Sequence, residues 1–292
     1  MIFGPTFKLD IIPLKQEYSY DEPIEYKVFL EAKKDKEIKQ LKTRLRVYVV
    51  GRTTCWYRER DAEGDESEEP HDIDYYFFLK DHEEILLEKT KPGKGKHEFT
   101  VKIPPLIGVP IPGDYGLYRV EWKIESEIPG FLSRTKAEKY VNIKRPSLPG
   151  LIEETKYSGS DLLVVAKIPK YIPLGGASKI HLQLFSKSGE LDCKEINVEL
   201  MNKLYIRKLD IDPSAEQCKE PKHEATYKSI VIAKDIKLKE NTPFKTEIEL
   251  EIPQNGYPSF KYRDSGSEWI LRISCKKGLL RSSKVEIPIT VI

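Results

Sequence analysis

The 292-residue sequence contains only four cysteines, two methionines and three tryptophans. No stretch approaches the ~18 uninterrupted apolar residues that a membrane-crossing helix needs. Sustained helical periodicity is missing as well. The opening MIFGPTFKLDIIPLKQEY has no basic segment followed by a long apolar run, so it does not read as a secretory leader and a cytoplasmic protein is expected. Cys55, Cys193, Cys218 and Cys275 are too few and too far apart for the dense frameworks of small secreted domains, and reduced thiols are expected. Net charge of one sign is lacking: 49 Lys+Arg oppose 47 Asp+Glu, leaving +2. No global field therefore favours nucleic acid or an anionic membrane, and recognition must come from local surfaces. Asn and Gln are scarce beside Lys and Glu, a bias of heat-adapted proteins.

Catalytic signatures are equally thin. There is no Gly-x-Ser-x-Gly elbow and no Cys/His pair in a recognisable context. Ser158-Gly159-Ser160 reads as a turn. Gly93-Lys94-Gly95-Lys96 precedes a strand instead of a helix, so no helix N-terminus faces an anion and a hairpin turn is expected. Cys193, Cys218, His181 and His223 lack the close spacing of a zinc knuckle. His97 has no neighbour in sequence to tune it. The acidic stretch from Glu59 to Asp72 does not follow calcium-loop spacing and is expected to be a solvated excursion between strands that can be shortened at little cost. A non-enzyme without cofactor or metal is the expectation.

What is present is strand alternation. Phe7, Leu9 and Ile11 alternate with charged residues, as do Ile24, Tyr26, Val28 and Leu30, and Leu41, Leu45, Val47 and Val49 predict a third strand ending at Gly51. Tyr75 to Leu79 is a further short apolar run, and Ile85-Leu86-Leu87, flanked by Glu83, Glu84 and Glu88, leaves a helical turn open. The most informative stretch is Gly95 to Ser126. Phe99, Val101 and Ile103 alternate, Pro104-Pro105 stops the ladder, and a Pro/Gly-rich connection leads to Leu117, Val120, Trp122 and Ile124. About half a chain later Ile248, Leu250 and Ile252 alternate, Pro253 stops them, and Trp269, Leu271 and Ile273 restart a strand. Lys194 to Leu200 answers Lys36 to Lys42, and Leu280 to Lys284 answers Leu132 to Lys136, in the same order. Arg145-Pro146-Ser147-Leu148-Pro149-Gly150 breaks regular structure between the halves. The reading is an all-β chain of two tandem antiparallel immunoglobulin-like β-sandwiches, 1–145 and 156–292, joined by a linker at 146–155. Trp56, Trp122 and Trp269 are expected to fill the cores.

The order of these features resembles a known family. Gly51 before Trp56, an acidic loop, the aromatic run at Tyr75, Gly95-Lys96-His97-Glu98-Phe99 before Ile103-Pro104, and Tyr118-Arg119-Val120-Glu121-Trp122 are similar to the arrestin N-terminal domain. Ile252-Pro253, Trp269-Ile270-Leu271-Arg272-Ile273 and Ile287-Pro288-Ile289-Thr290-Val291 resemble its C-terminal domain. The resemblance covers essentially the whole chain, and the order of the motifs carries it more than any one of them. The retromer cargo-recognition subunit and sporulation-control-like proteins share the architecture. It implies an arrestin-like arrangement and an intracellular, non-enzymatic adaptor or scaffold, with roles in trafficking or signalling, that binds protein partners through domain concavities, exposed edges and an interdomain groove. Two departures are expected: a last strand closing at Ile292 without the regulatory tail of the receptor-binding arrestins, and no arginine with acidic partners that can be assigned to a buried polar core.

Partner-binding candidates are basic. Lys8 and Lys15 lie on or beside the first strand, where arrestins present lysines to phosphorylated partners. Lys276, Lys277 and Arg281 belong to a basic hairpin with Leu279 and Leu280 at its tip, suited to an anionic membrane surface or a partner groove. Solvated faces are the simpler reading of both. The competing functional reading is a structural pair of immunoglobulin-like modules in a cell-envelope or surface protein.

Overall fold

A computed structural model describes residues 6–60, 66–130, 134–147, 149–278 and 281–292. Strand accounts for 68% of the chain and helix for 1%, so the alternation in the sequence does specify an all-β protein. The chain divides into two compact units, one of residues 1–52 and 74–145, the other of residues 53–73 and 146–292.

In the first unit β1 (Phe7–Pro13), β3 (Ile24–Ala32) and β6 (Gly95–Ile103) form an antiparallel sheet in that order. The second sheet centres on β4 (Ile38–Arg60) and β8 (Arg119–Ile128); β5 (Glu66–Thr90) pairs with β4, while β7 (Gly113–Asp114) and β9 (Thr135–Tyr140) pair with β8. β2 (Tyr18–Ser19) and β10 (Ile143–Lys144) make a short parallel pair. Every second residue is buried: Tyr26, Val28 and Leu30 on β3, Leu45, Val47 and Val49 on β4, and Val120, Trp122 and Ile124 on β8. Inside this core the Tyr26 and Thr43 hydroxyls bond at 2.9 Å, and Ser126 donates to Thr43 at 2.9 Å, so the buried hydroxyls satisfy one another. Gly51 is required where it stands, because a Cβ there would collide with the Tyr75 ring. It does not end the strand, as the sequence suggested: β4 runs on to Arg60, and Ile85-Leu86-Leu87 continue β5 instead of forming a helical turn.

The second unit repeats the plan. β12 (Leu162–Pro169), β13 (Ala177–Ser186) and β17 (Phe244–Glu251) take the order of β1, β3 and β6. β14 (Glu190–Tyr205), β16 (Lys222–Lys239) and β19 (Ser265–Lys276) take that of β4, β5 and β8, with β18 (Phe260–Tyr262) and β20 (Ser282–Ile289) beyond β19. β11 (Ile152–Ser158) is an addition at the edge of β12. The two core tryptophans repeat each other closely: Trp122 Nε1 donates to the Pro110 carbonyl at 2.8 Å and Trp269 Nε1 to the Tyr257 carbonyl at 2.6 Å. Each is 1% exposed, and each indole is held by a carbonyl of the connection that precedes its strand. Trp56 differs from the expectation and is only half-buried.

Cys55 bonds to Cys218 and Cys193 to Cys275, which corrects the expectation of reduced thiols: wide separation in sequence did not keep the four sulfurs apart in space. The first bridge ties the end of β4 to β15 (Gln217–Cys218), which pairs with it at Cys55 and Trp56. Tyr57 OH donates to Asp212 at 2.7 Å, just after a single helical turn, α1 (Lys208–Ile211). Residues 53–73 therefore pack with the second unit around Cys55, Ala215 and Cys218, with Tyr57, Ile73 and Ile211 against them. Glu59 and Arg60, and Glu66 to Asp72, are strand residues of this arm instead of a loop, whereas 61–65 lie outside the described residues.

Candidate functional site

The outer faces of the two large sheets carry the chemistry, because strand alternation sends every second side chain away from the core. In the second unit the register places Glu195 opposite Lys276, Asn197 opposite Ser274 and Glu199 opposite Arg272; across β20, Lys276 faces Ser282, Ser274 faces Lys284 and Arg272 faces Glu286. These rows line a cleft of about 390 Å³, bounded by Asn197, Arg272, Ser274, Lys276, Arg281 and Lys284 among others. Arg272 is engaged, at 2.8 Å from Glu286 and 3.8 Å from Glu199. Lys276 is paired with Glu195, whose carboxyl is held below its ordinary range by the hydrogen bond from Lys276. Lys284 and Arg281, both exposed, have no ion-pair partner among the described residues. Two uncompensated cations beside serine hydroxyls form a local positive field suited to an anionic group.

The corresponding face of the first unit is closed. Lys42, Arg44 and Arg46 on β4 stand beside Glu125 and Glu127 on β8, which are only 6% and 8% exposed. Arg46 Nη1 donates to Glu125 at 2.9 Å and to Tyr48 OH at 3.2 Å; Arg44 Nη2 donates to Glu127 at 3.2 Å and also meets Glu83. Lys42 and Arg134 also reach Glu127, and Lys136 reaches both Glu125 and Glu138. Phe78 and Tyr140 lie against the cations, with Arg46 5.5 Å from the Phe78 ring centre and Lys123 5.2 Å from that of Tyr140.

The residues singled out in the sequence fall in different places. Lys276 and Arg281 share the cleft of the second unit. Lys277 turns instead to Asp161 at the neighbouring Ser160–Asp161 turn, and its amide donates to the Arg281 carbonyl at 2.9 Å, closing the hairpin; Leu279 and Leu280 lie outside the described residues. Lys8, on β1 of the first unit, lines a shallow cleft of about 240 Å³ with Asp10, Ile12, Phe29, Glu31 and Lys96. Lys15 is tied to Glu22 at 2.6 Å, which raises its pKa, so its charge is already answered. Sequence reasoning missed Arg272 and Lys284 as site residues. Alternation held the signal, since Arg272, Ser274 and Lys276 point to one side while Trp269, Leu271 and Ile273 point to the other. Glu59, Glu69 and His71 on the arm are the one group of three that could offer metal-ligand atoms together among the described residues; all are exposed, and His71 bonds to Glu59 at 3.1 Å.

No protein-family model and no curated protein matches the chain. What the fold and its two outer faces define is a duplicated all-β chain with one self-neutralised face and one face that leaves cations open.

Proposed function

We propose that this protein is a non-enzymatic, arrestin-like binding module with immunoglobulin-like sandwiches, and that it captures an anionic segment of a protein partner on the outer face of β14, β19 and β20. The observation that carries the reading is the pair Lys284 and Arg281, uncompensated beside Ser274, Ser282 and Asn197 in one cleft. A carboxylate or phosphate arriving there would meet charge-assisted donors without displacing an existing ion pair. An adaptor of this kind acts in the cytoplasm. Titration of a phosphorylated peptide, a glutamate-rich peptide and a neutral peptide onto the intact chain tests the proposal. Binding of the anionic peptides should weaken with salt and fall at least about tenfold in Arg281→Glu/Lys284→Glu. Equal binding by all three peptides, or anionic binding indifferent to the double substitution, would reject it.

A second reading, paired spacer modules of an envelope or surface protein, is favoured by the two disulfides, which persist most readily in oxidising compartments. Intracellular proteins of hyperthermophiles are the known exception. Fractionation of native cells separates the readings: recovery with the envelope supports the spacer, and recovery in the cytosol supports the adaptor.

A further inference from the structure

Two of the free strand edges of the second unit are blunted. β16 carries two register breaks against β14, and lysines recur along it at 222, 228, 234, 237 and 239. The edge of β17 is met by Lys228, whose ammonium donates to the Glu249 carbonyl at 3.0 Å. β11 has no register break, and its single lysine, Lys156, stands among the carboxylates of Glu153 and Glu154. It pairs with β12 through seven consecutive residues without a break, contains no proline, and has no counterpart among the described residues of the first unit. All of its residues except Tyr157 are exposed, so it contributes almost nothing to the core, and Ile152 is 57% exposed. A regular edge whose charges are of both signs is a template for a strand of complementary charge.

The backbone pattern shows which residues offer that template. Gly159 N–H donates to the Leu162 carbonyl at 2.8 Å and Lys170 N–H to the Leu151 carbonyl at 2.8 Å, so the odd-numbered residues of β11 bond to β12. Pro169, which has no amide hydrogen, sits opposite Ile152, a position where none is needed. The amides and carbonyls of Ile152, Glu154, Lys156 and Ser158 therefore point away from the sheet.

We propose that β11 pairs antiparallel with β11 of a second copy of this chain about a two-fold axis through Thr155. A two-fold axis normal to a continuous sheet places residues of the same parity opposite one another, so each symmetric register is centred on one residue. Centring on Glu154 sets Glu154 against its own copy, and centring on Lys156 sets lysine against lysine; both oppose like charges. Centring on Thr155 engages all four outward residues. It exchanges hydrogen bonds between Glu154 and Lys156 twice, as opposite charges, and sets Ile152 against Ser158. The two Thr155 side chains then meet at a non-hydrogen-bonded site, with Cα atoms about 4.5 Å apart. Glu154 already contacts Lys167 at 3.3 Å within its own sheet, an exposed contact that leaves a carboxylate oxygen for the incoming Lys156.

Sedimentation of the intact 33.8 kDa chain over ~10 µM to ~1 mM, the range suited to a small interface, should show a monomer–dimer equilibrium. Lys156→Glu should weaken association about tenfold by placing carboxylates opposite carboxylates, and Glu154→Lys/Lys156→Glu should restore it. Glu154→Pro should abolish it while leaving the melting temperature nearly unchanged, because the lost amide points outward. With all four native cysteines in disulfides, Thr155→Cys should cross-link two copies in non-reducing electrophoresis, and Glu153→Cys should not. A chain monomeric throughout this range, or a dimer indifferent to the charge reversal and giving no Thr155→Cys cross-link, overturns the proposal.

Discussion

The outer faces of β4/β8 and β14/β19 are built on one plan, a long central strand paired with the strand that bears the core tryptophan, yet they treat charge in opposite ways. On the first, Arg44 and Arg46 are shielded from water and each meets a glutamate that is itself buried. On the second, Arg272 and Lys276 are neutralised, whereas Lys284 and Arg281 remain open to solvent. A half-buried charge must be paired because desolvation is otherwise uncompensated, while a solvated lysine costs little and stays available to a ligand. The same ladder geometry therefore serves cohesion in one unit and recognition in the other. The second unit also has a different means of holding its strands in register: Cys193–Cys275 links the start of β14 to the end of β19 beneath the open face.

The largest effect should come from that link. Cys193→Ala/Cys275→Ala releases an unfolded-state loop spanning a separation of 82 residues, and a loss of about 4 kcal/mol is expected in urea unfolding. If the double substitution costs less than about 1 kcal/mol, the bridge does not substitute for ion pairing and the contrast between the faces fails.

Next in size is Glu125→Ala. Removing this carboxylate leaves Arg46 half-buried without its acid and deprives Lys136 of one of its two, for an expected loss of about 2–3 kcal/mol. Arg46→Leu/Glu125→Leu removes both charges of the pair and should cost much less. Lys284→Ala on the open face should change unfolding free energy by less than about 0.5 kcal/mol while weakening anionic peptides. Equal losses from Glu125→Ala and Lys284→Ala would show that both faces are structural.

Much of this was legible in the sequence, for definite physical reasons. Alternation of apolar residues is sufficient to announce strands, and Pro104 and Pro253, each before a tryptophan strand, marked the duplication that appears as matching strand order. The arm was not legible, because Gly51 looks like a stop until Tyr75 is seen filling the space its missing side chain leaves. The disulfides were hidden by sequence distance: Cys55 and Cys218 are 163 residues apart and are brought together only by the pairing of β4 with β15. Of the basic hairpin, Lys276 and Arg281 could be picked out as a charged turn. Their partners Lys284 and Arg272 required cross-strand register, which local sequence does not supply.

The smallest expected effect is on acid stability, and it separates the faces by the exposure of the cations that hold each carboxyl: Lys123 and Lys136 are 18% and 32% exposed, Lys276 52%. On the closed face the Glu138 carboxyl is held below its ordinary value of 4.5, first by the hydrogen bond from Lys136 and also by Lys123. On the open face Glu195 is lowered by Lys276. A carboxyl whose folded pKa is depressed stabilises the fold above its unfolded pKa, and that contribution is lost as pH falls through the folded value. Both contributions should thus be fully present at neutral pH and fade only below about pH 4.5. Glu138 is itself 38% exposed, so screening holds its share to about 0.3–0.5 kcal/mol. Urea midpoints measured at about pH 6.5 and pH 3.5 should differ less in Glu138→Gln than in the unaltered chain, since the substituted side chain no longer takes up a proton. Glu195→Gln should narrow the difference less, and at about 0.5 M NaCl its effect should vanish first, because the Debye length there is only a few ångströms and Lys276 stands in solvent. A Glu195 effect that matched Glu138 and survived salt would place the open face in the same structural class as the closed one.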